Sequence, residues 1–288
     1  MEALFERIAE WLKELLVNST MDRMTNLFDS VNNTVGEVAV EVGETPASFA
    51  PRIFDMIRSI SESVIMPIAG IILTFVACYE LVRLVTESNN LANLDIWILF
   101  KWIFKTAIAV IIVTNTFNIV MAVFELGQHV VNSSAGLIQG QTAISADILA
   151  NLEEELNEMN LGALLGLFLE SFLLSFTLKI LSVVIFVIVY ARMIEIYLMT
   201  SLAPIPMATL GSREQSMVGQ NYFRSLLALA FQGFLMLICI GIYAVLIRNY
   251  SVSEHLIAHV WSVVGYTVLL AFALFKTGSL SKSIFNSH

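Results

Sequence analysis

Four ionisable residues lie inside a strongly apolar stretch that runs from Leu161 to Leu210: Glu170, Lys179, Arg192 and Glu195. Such a group costs about 2.5–3.5 kcal/mol on membrane insertion unless it pairs or lines a wet cavity. Arg192 and Glu195 are three residues apart and can pair on one helical face. We expect Lys179, Arg192 and Glu195 to line a hydrophilic path or a subunit interface. The alternative is that Lys179 and Arg192 snorkel to opposite membrane surfaces.

Two prolines, Pro204 and Pro206, follow the charges near the end of this stretch. Each removes a backbone donor, so both cannot lie in one straight helix. Irregular backbone at membrane depth is tolerated only where it is buried in protein or lines water. The prolines predict a hinge or a constriction, with a simple helix end before a cytoplasmic loop as the alternative.

The composition is that of a membrane protein. Of 288 residues, 57% are hydrophobic and 14% are charged, against about 45–50% and about 25% in soluble domains. The sequence contains no Walker A and no GxGxxG motif, and His255 and His259 lack an acidic third ligand. We therefore expect no catalytic residue, no cofactor and no metal.

The apolar pattern predicts an all-α polytopic protein with five transmembrane spans, at about 64–82, 102–124, 179–198, 223–247 and 256–275. Fifty residues of helix would reach about 75 Å, far beyond a ~30 Å hydrocarbon core. Residues 161–178 are therefore read as an extension of the third span, followed by a Pro-broken or re-entrant segment. The alternative divides the stretch into two spans, 161–178 and 180–203.

The spans divide the chain into three regions. Residues 1–63 form a predicted extracytoplasmic region, which begins with an amphipathic helix on a membrane surface, on a partner helix or within its own domain. Asn32 and Asn33 suggest a turn, and residues 45–51 suggest a linker. The transmembrane domain, 64–275, contains an acidic external loop, 125–160, and a polar tail follows at 276–288.

Basic residues predict the orientation, because they mark the cytoplasmic side. They flank the first loop, the loop after the prolines and the tail: Arg83, Lys101, Lys105, Arg213, Arg224, Lys276 and Lys282. With five spans these regions share one side, which places the N-terminus outside and the C-terminus inside a cytoplasmic membrane. Glu80 and Arg83 repeat the three-residue spacing at the end of the first span, where a solvated helix end is favoured.

Two segments carry a family resemblance: Leu202–Ser216, which reads LAPIPMATLGSREQS, and Gly219–Gly233, which reads GQNYFRSLLALAFQG. They resemble the core of the TrbL/VirB6 family of type IV secretion and conjugation proteins, and most of all the branch found in mobile elements of Gram-positive bacteria. The predicted layout of spans agrees with this family. The short external loop and the lack of a large C-terminal extension depart from its longer members.

The resemblance implies a non-enzymatic channel or scaffold component of the bacterial cytoplasmic membrane, in contact with membrane lipid. Such a component would assist transfer of a DNA–protein substrate and assembly of the apparatus. It implies a homo-oligomer, a pentamer in this family, beside VirB3-, VirB4- and VirB8-like partners. ATP hydrolysis would belong to the VirB4-like partner, in keeping with the missing nucleotide motif.

Two competing hypotheses remain from the sequence. A small-molecule or ion transporter would show paired broken helices in two repeats, whereas only one Pro-broken segment stands out here. A subunit that assembles others without forming a path cannot be separated from a channel component by sequence.

Overall fold

The computed structural model describes residues 2–87, 96–138, 153–249 and 256–287, and this part of the chain is helical with no strand. Its regular elements are α1 (Glu2–Val42), α2 (Pro46–Phe49), α3 (Pro51–Ile60), a π-helical turn (Ser61–Ile65), α4 (Met66–Glu87), α5 (Ile96–Thr114), α6 (Thr116–Ile138), α7 (153–158), α8 (Leu161–Leu202), α9 (Pro204–Ala208), a 3₁₀ turn (Thr209–Gly211), α10 (Ser216–Asn249) and α11 (Leu256–Ile284). The all-α prediction is confirmed.

Five helices in the described ranges are long and apolar enough to cross a membrane: Pro51–Thr86, Ile96–Thr114, Leu161–Leu202, Ser216–Ile247 and Trp261–Ile284. Their number agrees with the predicted five spans. Leu161–Leu202 is one uninterrupted helix, so the alternative that divides it into two spans is wrong. The chain therefore folds as a polytopic helical protein.

The chain forms two compact units. The first unit comprises Met1–Val42, Asn132–Val189 and Met236–Lys276, and the second comprises Gly43–Val131, Tyr190–Leu235 and Thr277–His288. Helices α6, α8, α10 and α11 each contribute residues to both.

In the first unit, α1 is much longer than the predicted amphipathic segment and runs through Asn32 and Asn33, where the predicted turn is wrong. Asn costs only about 0.7 kcal/mol or less within a helix, and burial of residues spaced three to four apart outweighs it. These residues are Val17, Thr20, Met24 and Leu27. The apolar face predicted near the N-terminus stays exposed at Leu4, Ile8, Trp11 and Leu15.

Two further contacts hold the first unit together. The guanidinium carbon of Arg23 lies 4.7 Å from the ring centroid of Phe168 on α8, a cation–π contact. The hydroxyls of Tyr243 and Thr267 join α10 to α11 by a hydrogen bond of 2.8 Å. On α8, buried leucines recur at helical spacing: Leu164, Leu167, Leu174 and Leu178.

In the second unit, the predicted linker at residues 45–51 is folded. Thr45 Oγ1 accepts from the Ser48 amide at 2.9 Å, and Ser48 Oγ accepts from the Thr45 amide at 3.0 Å, which is a capping box. Pro46 and Pro51 each open a helix, where the missing donor costs nothing. Tyr197 on α8 then donates to Pro46 O at 2.7 Å, so this segment is part of the core.

Pro67 is the second residue of α4, and α3, the π-helical turn and α4 form one continuous helical stretch from Pro51. Proline in a helix interior clashes with the carbonyl four residues earlier. The π-helical turn Ser61–Ile65 ends two residues before Pro67, and such a turn changes the hydrogen-bond pattern of the helix just where the proline lacks a donor. The helix therefore continues past the proline to Glu87.

Helices cover part of the predicted acidic loop, 125–160, and most of the predicted polar tail, 276–288. Residues 125–138 belong to α6 and residues 153–158 to α7, while residues 139–152 of the acidic loop lie outside the described residues. Helix α11 extends to Ile284, so most of the predicted polar tail is helical. Asn286 then ends the helix with φ 49°, and the Ser287 amide donates to Lys282 O at 3.0 Å, a Schellman-type cap.

Candidate functional site

The second unit buries an arginine within apolar helices. Arg192, near the end of α8, is 6% exposed. Its Nε and Nη1 atoms are buried and have no hydrogen-bond partner in the described part of the chain. A buried charge without a partner is far more costly than a paired one. Such a residue within membrane helices is by default a functional candidate.

A glycine of α10 makes room for this guanidinium. A Cβ placed on Gly233 would lie 2.7 Å from Arg192 Nη2 and 3.1 Å from Cζ. Both distances are shorter than ordinary van der Waals contact, so any larger residue at position 233 would displace the arginine. The packing of the Arg192 side chain against α10 therefore depends on this glycine.

Polar groups continue from this point between α10 and α11. Gln232 Nε2 lies 3.5 Å from Thr277 Oγ1, and Ser281 donates to Ala228 O. Gln232, Thr277 and Ser281 are all buried. We call the group formed by Arg192, Glu195, Gln232, Thr277, Ser281 and Lys282 the polar seam; it lies among α8, α10 and α11 of the second unit.

At the exposed edge of the polar seam, Glu195 pairs with Lys282 and not with Arg192. Lys282 Nζ lies 2.7 Å from Glu195 Oε1, and their side chains are 46% and 43% exposed. Arg192 points into the helix interface while Glu195 remains accessible. The pair between Arg192 and Glu195 that the three-residue spacing allows is therefore not formed. The Glu195 carboxylate pairs instead with Lys282 of α11.

Lys179 belongs to the first unit and is not part of the polar seam. It is exposed on the part of α8 that belongs to the first unit. Glu170, in the same unit, is partly buried, and its Oε2 has no hydrogen-bond partner among the described residues. Lys179 thus stays a candidate by sequence only.

The Pro-broken segment is confirmed, and side chains of its own unit satisfy its backbone. The Ala203 amide bonds to Thr200 O at 3.3 Å, which leaves Met199 O without its usual helical donor. Tyr222 on α10 donates to that carbonyl at 2.7 Å. The role of the Pro-broken segment as a hinge or a constriction stays a prediction.

After α9, Thr209 bridges the segment to the start of α10. Its Oγ1 donates to Pro206 O at 2.8 Å and accepts from the Gly219 amide at 3.1 Å. Pro204, Met207 and Ala208 are buried. The segment is thus a packed element of the core, and no loop.

A second group of charges joins α4, α5 and the loop after the 3₁₀ turn. Lys105 Nζ lies 2.8 Å from Glu80 Oε1, and Arg83 Nη1 lies 3.0 Å from Glu214 Oε1. Tyr79 also donates to Glu214 at 3.2 Å. Glu80 and Arg83 are therefore tied to neighbouring elements, whereas the sequence suggested a solvated helix end. Arg213 and Arg224, predicted for the cytoplasmic loop region, are exposed.

Sequence reasoning missed the partners in both groups, Lys282, Lys105 and Glu214. Each partner comes from another helix or loop, and local spacing holds no information on such pairs. Their only signal in the sequence is their type, since each is an ionisable residue at the edge of an apolar run.

These helices define a class, the polytopic α-helical membrane proteins. In the described ranges, no group of three or more His, Cys, Asp or Glu could hold a metal ion. The profile of the TrbL/VirB6 plasmid conjugal transfer like protein family matches residues 31–204. The chain belongs to this family, whose members are components of conjugal transfer and type IV secretion.

The matched residues end at Pro204. Nearly all of the two segments that suggested the family, Leu202–Ser216 and Gly219–Gly233, therefore lie beyond the match. No curated protein and no solved structure matches the chain.

Proposed function

We propose that this protein is a membrane-embedded channel or scaffold component of a type IV secretion machine. It assists transfer of a DNA–protein substrate across the cytoplasmic membrane and assembly of the apparatus. The observation that carries this proposal within the family is Arg192. An uncompensated charge buried among membrane helices is retained where it has a task.

Two exposed features supply surfaces for assembly. The apolar face of α1, at Leu4, Ile8, Trp11 and Leu15, has large exposed side chains, which suit a neighbouring subunit or a membrane surface. The Glu195–Lys282 pair lies at the accessible edge of the polar seam. We propose that these surfaces serve a homo-oligomer, a pentamer by family resemblance, together with VirB3-, VirB4- and VirB8-like partners.

The charges at the three basic regions support an orientation with the N-terminus outside and the C-terminus inside. In that orientation the loop with Arg213 faces the cytoplasm, where a VirB4-like ATPase would contact it. The buried side of the polar seam would then lie along the route of the substrate or brace the helices around it.

A complementation experiment tests the function and separates path from scaffold. A deletion strain receives the wild-type chain, Arg192→Ala or, as the charge control on the same helix, Lys179→Ala. DNA transfer frequency and recovery of the assembled complex are measured together. Lost transfer with intact assembly supports a path, and lost assembly supports a scaffold. Wild-type transfer in the Arg192→Ala strain would refute a role for the polar seam.

A further inference from the structure

A groove in the second unit is open to the outside and mostly apolar. It has a volume of about 390 Å³, within the range of small-ligand sites. The helices α5, α6 and α10, together with α9 and the 3₁₀ turn, surround it. Its apolar lining consists of Ile112, Ile119, Met207, Leu210 and Phe223.

Two polar side chains complete the lining, and both come from α10. Gln220 and Arg224 are four residues apart and share one helical face. Both are exposed. The guanidinium of Arg224 has no ion pair or hydrogen bond to another described residue, in contrast to that of Arg83 in the same unit. A free guanidinium therefore stands at the rim of an apolar groove.

The sequence of α10 places this rim at a change in polarity. Before Phe223 the helix reads Gly219, Gln220, Asn221 and Tyr222, and beyond Arg224 it becomes almost wholly apolar up to Ile247. Long basic side chains at the end of an apolar run reach the headgroup region of a bilayer. The groove thus extends from a headgroup-level cation along apolar side chains.

We propose that this groove binds one anionic phospholipid. The acyl chain covers the apolar lining beside Phe223, and the headgroup phosphate accepts hydrogen bonds from the Arg224 guanidinium. Arginine presents a planar pair of donors that matches a phosphate, and the Gln220 amide adds a further donor. This proposal does not depend on the function in secretion, and its test involves no DNA transfer.

The test compares two lipids that differ in charge and share their acyl chains. Delipidated protein in mild detergent is titrated with phosphatidylglycerol or phosphatidylcholine, and bound lipid is counted by native mass spectrometry. We expect tighter binding of phosphatidylglycerol, by about tenfold. Arg224→Gln should abolish this preference. The control Arg213→Gln, an exposed arginine that does not line the groove, should retain it.

A photoreactive acyl chain on phosphatidylglycerol locates the bound lipid. Cross-links to the groove lining, either within residues 203–224 or at Ile112 or Ile119, support the groove. Cross-links only elsewhere, or equal binding of both lipids, overturn the proposal. A cysteine introduced at Leu210 that forms disulfide-linked dimers and excludes the lipid would show a second copy in the groove, and the proposal would then be wrong.

Discussion

Arg192 brings a full charge into the contact between helices that are otherwise apolar. Water is the natural partner of a guanidinium, and burial removes it without a protein partner for Nε and Nη1. The contact with Gly233 shows that the helices are shaped around this side chain. We interpret a residue that is costly and accommodated at the same time as a candidate for a site where stability is given up for function.

Replacement of this charge should therefore stabilise the protein. We expect Arg192→Met to raise the free energy of unfolding by about 1–3 kcal/mol, because a flexible apolar side chain, shorter than arginine, occupies the site without a desolvation cost. The exposed Lys179→Met should change it by less than about 0.5 kcal/mol. Denaturant unfolding in detergent measures both. A destabilised Arg192→Met variant would show that the guanidinium has a favourable partner within the protein.

The pair between Glu80 and Lys105 predicts a different pattern. Glu80 is 8% exposed, and its Oε2 has no hydrogen-bond partner among the described residues, so it depends on the lysine. Lys105→Met should destabilise the protein by about 1–3 kcal/mol, because it removes the paired charge from a largely buried carboxylate. The double variant Glu80→Gln with Lys105→Met should recover most of this loss. Equal stability of the single and double variants in the same unfolding measurement would show that Glu80 and Lys105 are not coupled.

At the scale of elements, the close contact of α6 with α10 depends on small residues. A Cβ on Gly127 would lie 2.7 Å from Ala230 O and 2.9 Å from Ala230 Cβ. Small residues allow membrane helices to approach closely, so that packing contacts can hold them together. Gly233 likewise leaves room for a neighbour, the guanidinium of Arg192.

Gly127→Ala should consequently destabilise the protein by about 1–3 kcal/mol, the usual cost of overpacking. Gly70→Ala is the matched control, because Gly70 is also helical and a methyl group placed on it would meet no neighbouring atom within 4 Å. It should be neutral or should stabilise the helix by up to about 1 kcal/mol. Thermal unfolding of the two variants in one detergent makes the comparison. Equal losses would mean that α6 and α10 do not approach so closely.

Several elements could be predicted from the sequence, and others could not. The long apolar runs predicted α8 and α10 well, because hydropathy alone defines a membrane helix. The helix through Asn32 and Asn33 could not be predicted, since its stability comes from burial of Met24 and Leu27 in a tertiary core. The folded segment at 45–51 depends in the same way on Tyr197, which is distant in sequence.

At the scale of the whole molecule, the proposed function depends on how the chain is oriented in the membrane. The exposed apolar surface of the five long helices fits a lipid environment.

Within the polar seam, the types and approximate positions of Arg192 and Glu195 followed from the sequence. The pairing of Glu195 with Lys282 and the contact of Arg192 with Gly233 did not, because they arise from the packing of three separate helices.

The basic residues predict which side each loop faces. Alkaline phosphatase fused after residue 140 should be active, because the predicted external loop exports it, and a fluorescent protein fused at residue 288 should fold and fluoresce inside the cell. A phosphatase fused in the loop at Arg213 is the control and should be inactive. The reverse pattern of activities would invert the orientation.

The hydrogen bonds that the Pro-broken segment makes within the protein have a consequence for the exchange of its backbone amide hydrogens. Its amides are engaged within the protein: Met207 donates to Ala203 O at 3.2 Å, Ser212 to Thr209 O at 3.0 Å, and Gly219 to Thr209 Oγ1 at 3.1 Å. Amide hydrogens that are buried and bonded exchange with deuterium only when the structure opens. The segment should therefore exchange as slowly as α8 and α10 on either side of it. Two prolines interrupt the helix here, yet the site would resist exchange as the core does.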